Sequence, residues 1–270
     1  DPAALLLQIL TAFGNVIGRR AHFRAESDEH HTNFYVCIVG ASSKARKGTS
    51  WGHVQRVFAL VDPTWAERRV QHGLASGEGL IHAVRDPSEL PHSARRRGGS
   101  AKSAVHFDQG VEDKRLLVVE SEFAQLLKVM NREGNTLSPV IRNAWDKGSI
   151  RSIVKTAPAS ATGAHISIIG HVTKSELTRL LTHTEAGNGF GNRFLWICAR
   201  RSKSLPEGGN LDDGDFRRMA IAFAAAVEFA RGVDELVRDP CARKLWIEVY
   251  DGLSEGRPGL IGSILGRGEA

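Results

Sequence analysis

The chain has 270 residues, of which 41% are hydrophobic and 24% are charged, an ordinary composition for a globular protein with a substantial core. Its net charge of +6 and pI near 9.5 favour polyanionic partners such as nucleic acid, although a basic protein without such a partner fits equally well. Three widely spaced cysteines exclude a disulfide framework and a metal-binding spacing, and no apolar stretch has the length of a membrane span. We therefore expect a protein of the reducing cytoplasm, without membrane contact. The sequence opens at Asp1 rather than Met, and we expect it to be a segment of a longer chain.

Apolar runs and helical periodicities alternate along the chain. The first half is predicted to contain a helix over 3–17, a hairpin edge over 21–33, a buried strand over 34–39, helices from 50 and over 65–69, a helix over 80–84, a polar loop over 85–115, a strand over 116–119 and a helix through 130. The second half is predicted to contain loops over 131–163 and 182–192, strands over 166–169 and 194–199, a helix over 174–181, a long helix capped by Asp212 or Asp215 and a last helix over 246–253.

Short, purely apolar strands separated by helices predict an α/β fold with a mainly parallel central sheet flanked by helices. We divide the chain into an N-terminal helix and hairpin edge (1–33), a core (34–201) and a C-terminal helical part (202–270). Ligands of such sheets bind at the carboxyl ends of the strands. Residues that directly follow the predicted strands are therefore expected to share one edge.

The stretch FYVCIVGASSKARKGTSW, residues 34–51, combines a buried strand, a cationic loop and the start of a helix. This combination predicts a phosphate-binding P-loop, in which backbone N–H groups and the helix dipole converge on an anion. The loop is irregular, because Lys and Gly are transposed before Thr49 relative to G-x-x-x-x-G-K-[ST]. An ordinary basic surface loop is the alternative. The predicted nucleotide-binding residues are Gly40, Ser43, Lys44, Arg46, Lys47, Gly48, Thr49 and Ser50.

Two acidic residues follow predicted strands. Glu120 comes after four apolar residues, as in a Walker B strand, and together with Thr49 it is the predicted Mg²⁺ ligand set, although Glu replaces the usual Asp. Glu78 stands between two glycines, after a strand predicted in the stretch that begins at Val70, and is a candidate general base that polarises the attacking water. The simpler alternatives are a helix-capping role for Thr49, a strand-ending carboxylate for Glu120 and a favourable charge at a helix start for Glu78.

Further candidates are basic or aromatic. His171 could sense the γ-phosphate, and Arg193 could act as an arginine finger in a neighbouring subunit; a hydrogen-bonded strand-end histidine and a surface arginine are the alternatives. The run from Arg95 to Arg97 and the loops over 131–163 and 183–192 could line a nucleic-acid path.

Five motifs carry a resemblance to a known family: GASSKARKGTSW, SGEGLIHAVRD, LLVVESEF, HISIIGHVT and GFGNRFLW. They resemble the RecA-like helicases found beside primase-polymerase domains in replication proteins of phages, plasmids and integrated elements, and more distantly the hexameric RepA-type plasmid helicases. The resemblance runs from about Gly18 to the C-terminus, and its first two motifs are the most specific.

The resemblance implies a RecA-like P-loop ATPase core that assembles as a ring, expected to be a hexamer, with nucleotide bound between subunits. It implies that Lys47, Gly48 and Thr49 hold phosphate, and that the family's last helices lie beyond Ala270. It further implies that Glu78 is the catalytic base, Glu120 the Walker B acid, His171 the sensor and Arg193 the finger.

The first hypothesis is an ATPase of a replicative helicase, with ATP and Mg²⁺ as cofactors and single-stranded DNA as partner. A second hypothesis is a degenerate P-loop scaffold that binds nucleic acid or protein without hydrolysis, suggested by the transposed Lys47 and Gly48 and by Glu120. A third is a small-molecule phosphotransferase, which predicts a monomer that DNA does not stimulate.

Overall fold

A computed structural model describes residues 1–41, 47–90, 106–153, 158–200 and 206–254. Within these ranges the helices are α1 (Pro2–Ile17), α2 (Lys47–Val61), α3 (Pro63–Arg68), α4 (Gly77–His82), α5 (Phe123–Met130), α6 (Leu137–Asp146), α7 (Lys174–Leu180), α8 (His183–Gly187), α9 (Asp213–Arg231) and α10 (Pro240–Ser254). The strands are β1 (His22–Ala25), β2 (Asp28–His31), β3 (Tyr35–Gly40), β4 (Val70–Gln71), β5 (Ser88–Leu90), β6 (His106–Asp108), β7 (Arg115–Glu120), β8 (Ile150–Ser152), β9 (Ala159–Ala161), β10 (His165–Thr173), β11 (Leu195–Ala199) and β12 (Glu235–Leu236).

The main sheet has five strands in the order β11-β3-β10-β7-β4, and every neighbouring pair is parallel. The prediction of an α/β fold with a parallel sheet flanked by helices is therefore confirmed. Each of the four apolar runs of the sequence forms a strand of this sheet, because parallel strands covered on both faces need continuous apolar sequence. β3 is an interior strand, and all six of its residues are buried.

The two faces of the sheet bury separate hydrophobic cores. Alternate residues of β3 point to opposite faces. Tyr35 and Cys37 join a core with Phe123 of α5, whereas Val36 joins a core with Phe58 of α2. Gly170 in β10 allows the ring of Phe123 to pack directly on the strand, since a Cβ atom there would lie 2.4 Å from the ring. Helices therefore cover both faces and leave the strand ends as the accessible edges.

Helix α1 lies on the sheet with three polar residues on its buried side. Gln8, Thr11 and Asn15 are all fully buried, at the i, i+3 and i+7 positions of one helical face. Thr11 donates to the carbonyl of Leu7 in the preceding turn, at 2.7 Å. The other two side chains bond across to the sheet, so that this helix combines apolar packing with directional contacts.

Asn15 connects four elements. Its Nδ2 donates to the carbonyl oxygens of Leu116 in β7 and His165 in β10, at 3.1 and 3.0 Å, and its Oδ1 accepts from Nε1 of Trp65 in α3 at 2.8 Å. The two carbonyl groups lie at the amino ends of β7 and β10. Asn15 therefore fixes the last turn of α1 to the amino edge of the sheet.

Three predicted loops contain regular structure. The segment 131–163 holds α6 and the β8–β9 hairpin, and 182–192 holds the short helix α8, so the prediction of loops there is wrong. The 85–115 segment holds the strands β5 and β6, while Arg95, Arg96 and Arg97 lie outside the described residues. α6 forms because Leu137, Val140, Ile141 and Ala144 recur at helical spacing and pack into the core.

Two peripheral features complete the fold. A small sheet in the order β12-β1-β2 lies at the amino edge, because β1 follows directly from the end of α1. The long helix α9 begins with a capping box between Asp212 and Asp215, as the sequence predicts, and its Val227 reaches the core. α10 has no buried residue among those described.

Substituting Asn15 with Leu should lower the free energy of unfolding by about 2–4 kcal/mol, because the Trp65 N–H and two strand carbonyls would lose buried partners. The measurement is chemical denaturation followed by tryptophan fluorescence. The matched control is Asn143→Leu on α6, where the side chain is exposed. Equal midpoints for the two variants would contradict the role given to Asn15.

Acid should destabilise the fold through buried histidines. Burial lowers the pKa of His165 from 6.5 to about 4; its Nε2 bonds to the carbonyl of Gly14, and its Nδ1 has no partner within the described chain. Burial, with Arg19 nearby, likewise lowers the pKa of His31 to about 4. The unfolded chain takes up these protons near pH 6.5 and the folded chain only near pH 4, so the free energy of unfolding falls as the pH decreases across this window.

For each group the loss is at most about 1.4 kcal/mol per pH unit. Denaturation curves recorded between pH 7 and pH 5 measure this loss in the free energy of unfolding. The substitution His165→Gln should make the free energy of unfolding depend less on pH, whereas His183→Gln, at an exposed position, should leave the dependence unchanged. If the free energy of unfolding of His165→Gln depends on pH as steeply as that of the unsubstituted chain, His165 is not the cause of the pH dependence.

Candidate functional site

The candidate site lies at the carboxyl edge of the main sheet, where β3 ends at Gly40. Gly40 is flanked by Thr173 of β10 on one side and Ala199 of β11 on the other. From β3 the chain crosses to β4 at the far side of the sheet, whereas from the neighbouring strand β10 it crosses in the opposite direction to β11. The chain therefore leaves these two adjacent strands in opposite directions. Crevices at such points are the usual ligand sites of open parallel sheets.

The predicted phosphate loop is described only at its ends. Ser43, Lys44 and Arg46 lie outside the described residues, and at positions 47 and 48 only the backbone is described. Helix α2 begins at Lys47, so Thr49 and Ser50 lie within its first turn rather than at its cap. Thr49 is exposed and Ser50 is half-buried. The first turn of α2, with the hydroxyl of Thr49 exposed, thus begins seven positions after Gly40.

A chain of buried polar groups connects α2 to β10. Nε2 of Gln8 donates to Oγ of Ser50 at 3.0 Å and lies 3.3 Å from Nε2 of His171. His171 is only 3% exposed and pairs in register with Ile38 of β3. The predicted sensor histidine and the first turn of α2 are therefore joined through one side chain of α1.

Glu120 is the last residue of β7 and lies at the same edge. Gly170 of β10 pairs with Glu120 on one side and with Cys37 of β3 on the other. Glu120 therefore lies two strands away from β3, at the level of Cys37, which is three residues before Gly40. Its side chain is nearly buried, and Oε1 accepts the backbone N–H of Leu74 at 2.7 Å. The carboxylate is thereby fixed beneath the loop that follows β4.

Glu78 lies in the first turn of α4, after the N-cap Ser76. Its exposed carboxylate accepts the hydroxyl of Thr136, with distances of 2.9 and 3.0 Å to its two oxygens. Thr136 precedes α6. Glu78 is therefore reachable from solvent near the carboxyl end of β4, and in the described part of the chain the Thr136 hydroxyl is its one donor.

Arg193 has the environment of a structural residue. Its guanidinium is 6% exposed and forms a two-point ion pair with Asp146, at 3.2 and 2.6 Å. Nη1 donates to the carbonyl of Gly189 at 2.5 Å, and Cζ lies 5.7 Å from the ring centroid of Trp145. The side chain is held inside its own subunit, so a finger role in a neighbouring subunit would require these contacts to break.

The residues present can be tested against a magnesium-bound nucleotide. A nucleotide-bound Mg²⁺ takes one or two oxygen ligands from protein and the rest from phosphates and water. Thr49 offers an exposed hydroxyl, and Glu120 keeps Oε2 after its bond to Leu74. This donor set fits. Among the described residues no group of three or more His, Cys or acidic side chains is arranged to hold a metal by itself.

Comparisons with known proteins leave the family open. No protein-family model matches the chain, and no curated protein matches it significantly. The five-stranded parallel sheet with flanking helices is compatible with a Rossmann-like or RecA-like fold. In the described part of the chain, no helix combines the length and apolar character that crossing a membrane requires.

The structure adds two residues that sequence reasoning does not single out. Gln8 bridges Ser50 and His171, and Thr173 stands beside Gly40 while capping α7. The sequence signal for Gln8 is that it belongs to a polar stripe on an otherwise apolar helix. A buried amide needs hydrogen-bond partners, so such a stripe indicates contacts with other elements. For Thr173 the signal is the T-x-x-E capping box with Glu176.

If Arg193 is structural, replacing it with Gln should lower the free energy of unfolding by about 2–3 kcal/mol, because Asp146 would lose its buried partner. Thermal and chemical denaturation provide the measurement. Arg179→Gln, at an exposed position of α7, is the matched control and should change stability by no more than about 0.5 kcal/mol. Unchanged stability in Arg193→Gln would instead favour the finger role.

Proposed function

We propose that the chain is a P-loop-type ATPase whose hydrolysis of ATP drives translocation along DNA or its unwinding. The observation that best supports this is the junction at Gly40, where a buried interior strand ends between two parallel neighbours and α2 begins at the same edge. The first turn of α2 contains no acidic residue, so its positive dipole end is not compensated there.

In this proposal the triphosphate binds between Gly40 and the first turn of α2. Backbone N–H groups of the helix would donate to phosphate oxygens. Lys44, Arg46 and Lys47 would contribute positive charge, as the sequence of the loop suggests. Arginine and lysine side chains in such loops stabilise phosphate charge without taking part in bond making.

Thr49 and Glu120 would hold magnesium in this site, the first through its hydroxyl and the second through Oε2 or a bound water. When bound, the ion would neutralise charge on the phosphate oxygens. Because Leu74 holds Oε1 of Glu120, the orientation of the carboxylate is fixed before any ligand arrives. Such preorganisation lowers the cost of assembling the site.

Glu78 would take a proton from the attacking water. Its carboxylate is exposed, so water can reach it. The hydrogen bond from the Thr136 hydroxyl orients the carboxylate, and because this donor is neutral it does not neutralise the negative charge. His171 would respond to occupancy of the phosphate site through Gln8 and Ser50, because a shift of the first turn of α2 alters both hydrogen bonds of the Gln8 amide.

The partners of this proposal are single-stranded DNA and further copies of the chain in a ring, expected to be a hexamer. They are supported by the resemblance to RecA-like helicases of replication proteins and by the net charge of +6.

A non-hydrolysing scaffold is the second candidate. Two observations favour it: Glu78 already has a hydroxyl partner, and Arg193 is paired inside its own subunit. Such a protein would bind nucleic acid or protein through the same fold and would show no turnover of ATP.

A titration with a fluorescent ATP analogue, followed by ATPase assays with and without single-stranded DNA, decides between the two candidates. The ATPase proposal predicts saturable, Mg²⁺-dependent binding and a rate that DNA increases. Absence of a saturable signal would favour the scaffold.

Glu78→Gln should reduce ATP turnover by at least about 100-fold while the analogue still binds, because the amide cannot accept the proton of the attacking water. Glu133→Gln, which removes an exposed carboxylate from the loop before α6, is the control and should retain turnover. Equal turnover in the two variants would refute the role of Glu78.

A further inference from the structure

A second polar feature lies at the amino edge of the sheet, far from the proposed ATP site. α1 spans the sheet from Asp1, whose carboxylate accepts the N–H of Arg200 after β11, to Asn15 at the amino ends of β7 and β10. A helix of 16 residues is about 24 Å long, which separates the two edges. The β12-β1-β2 sheet and α10 enclose a groove of about 440 Å³ on this side.

The groove contains an arginine stacked on two aromatic rings. Cζ of Arg238 lies 4.0 Å from the ring centroid of Phe23 and 4.2 Å from that of Trp246. Cation–π stacking of this kind fixes the plane of the guanidinium. A stacked guanidinium carries its N–H groups in its own plane, so stacking leaves them available to an acceptor.

These donors have no acceptor in the described part of the chain. Neither the guanidinium of Arg238 nor that of Arg243, which also lines the groove, forms a hydrogen bond or ion pair with a described residue. The third lining arginine, Arg24, is paired with Glu29 at 3.0 Å and with Glu235 at 3.5 Å. Two cations, of which Arg238 is oriented by its aromatic contacts, therefore remain to bind an anion.

The rest of the lining consists of Glu235, whose carboxylate pairs with Arg24, and of exposed apolar side chains. Leu236, Val237 and Ile247 are 47%, 82% and 65% exposed. A free phosphate ion would leave these side chains in water, whereas a nucleotide unit would place its phosphate on the arginines and its sugar or base on the apolar wall. Grooves that combine arginines with aromatic and apolar side chains are typical of single-strand binding.

We propose that this groove binds the phosphodiester backbone of single-stranded nucleic acid, with Arg238 and Arg243 as the phosphate ligands. The stacking of Arg238 on Phe23 and Trp246 orients the guanidinium for two-point contact with a phosphate. The assignment rests on the DNA partner of the proposed function, but it does not require ATP hydrolysis, because the groove lies at the opposite edge from Gly40.

The test is the fluorescence anisotropy of a fluorescein-labelled oligothymidine titrated with the full chain in the absence of ATP. Arg238→Gln and Arg243→Gln should each weaken binding by about tenfold and reduce the slope of log K against log salt by about 0.7. Arg217→Gln, which removes an equal charge from an exposed position of α9, is the control and should change affinity by less than about twofold.

Trp246→Leu keeps the net charge and removes one stacking ring, so it should also weaken binding, by about threefold. Equal losses in Arg217→Gln and Arg238→Gln would overturn the site, since binding would then follow net charge alone. Displacement of the oligonucleotide by inorganic phosphate at equal concentration of phosphate groups would overturn the assignment to nucleic acid.

Failure of this site and failure of the ATPase proposal are distinguishable. Binding of the oligonucleotide that depends on Arg238, in a chain that does not bind the ATP analogue, would support the groove and refute the ATPase. Saturable binding of the analogue by a chain that does not bind the oligonucleotide would refute the groove alone.

Discussion

The parallel pairing of β3 with a strand on each side is the constraint on which the rest of the structure depends. An interior strand whose six residues are all buried can satisfy its backbone only through both neighbours, β10 and β11. Their registers bring Thr173 and Ala199 to Gly40 and bring His171 to the level of Ile38. The candidate site is therefore a consequence of strand pairing, because the same hydrogen bonds that stabilise the sheet fix where each strand ends.

Helix α1 couples the stability of the sheet to the geometry of its carboxyl edge. One face of this helix carries both the Asn15 contacts at the amino edge and the Gln8 contacts to Ser50 and His171. An apolar helix could slide along the sheet at little cost, whereas these buried hydrogen bonds permit one position only. The segment before the first buried strand thus contacts residues of the candidate site, although it lies outside the predicted core of 34–201.

The sequence is sufficient to predict the four apolar strands of the main sheet, but not the short strands β5, β6, β8 and β9 or the partners of the side chains. Continuous apolar runs such as 116–119 can only be buried parallel strands or short buried helices, and their flanking residues decide between the two. Helix α6 also had a readable signal, because its apolar residues recur at helical spacing. The pair of Arg193 with Asp146, by contrast, joins residues 47 positions apart, and Gln8 meets His171 across 163 positions. No local pattern encodes such contacts, which only the tertiary fold creates.

The central claim is that phosphate binds between Gly40 and the first turn of α2. A crystal structure of the chain with Mg²⁺ and a non-hydrolysable ATP analogue tests it most directly. In that structure the β- and γ-phosphates should lie within hydrogen-bond distance of the N–H groups at the start of α2, with Thr49 and Glu120 facing the ion. A nucleotide bound at any other edge, with the start of α2 in contact with solvent alone, would contradict it.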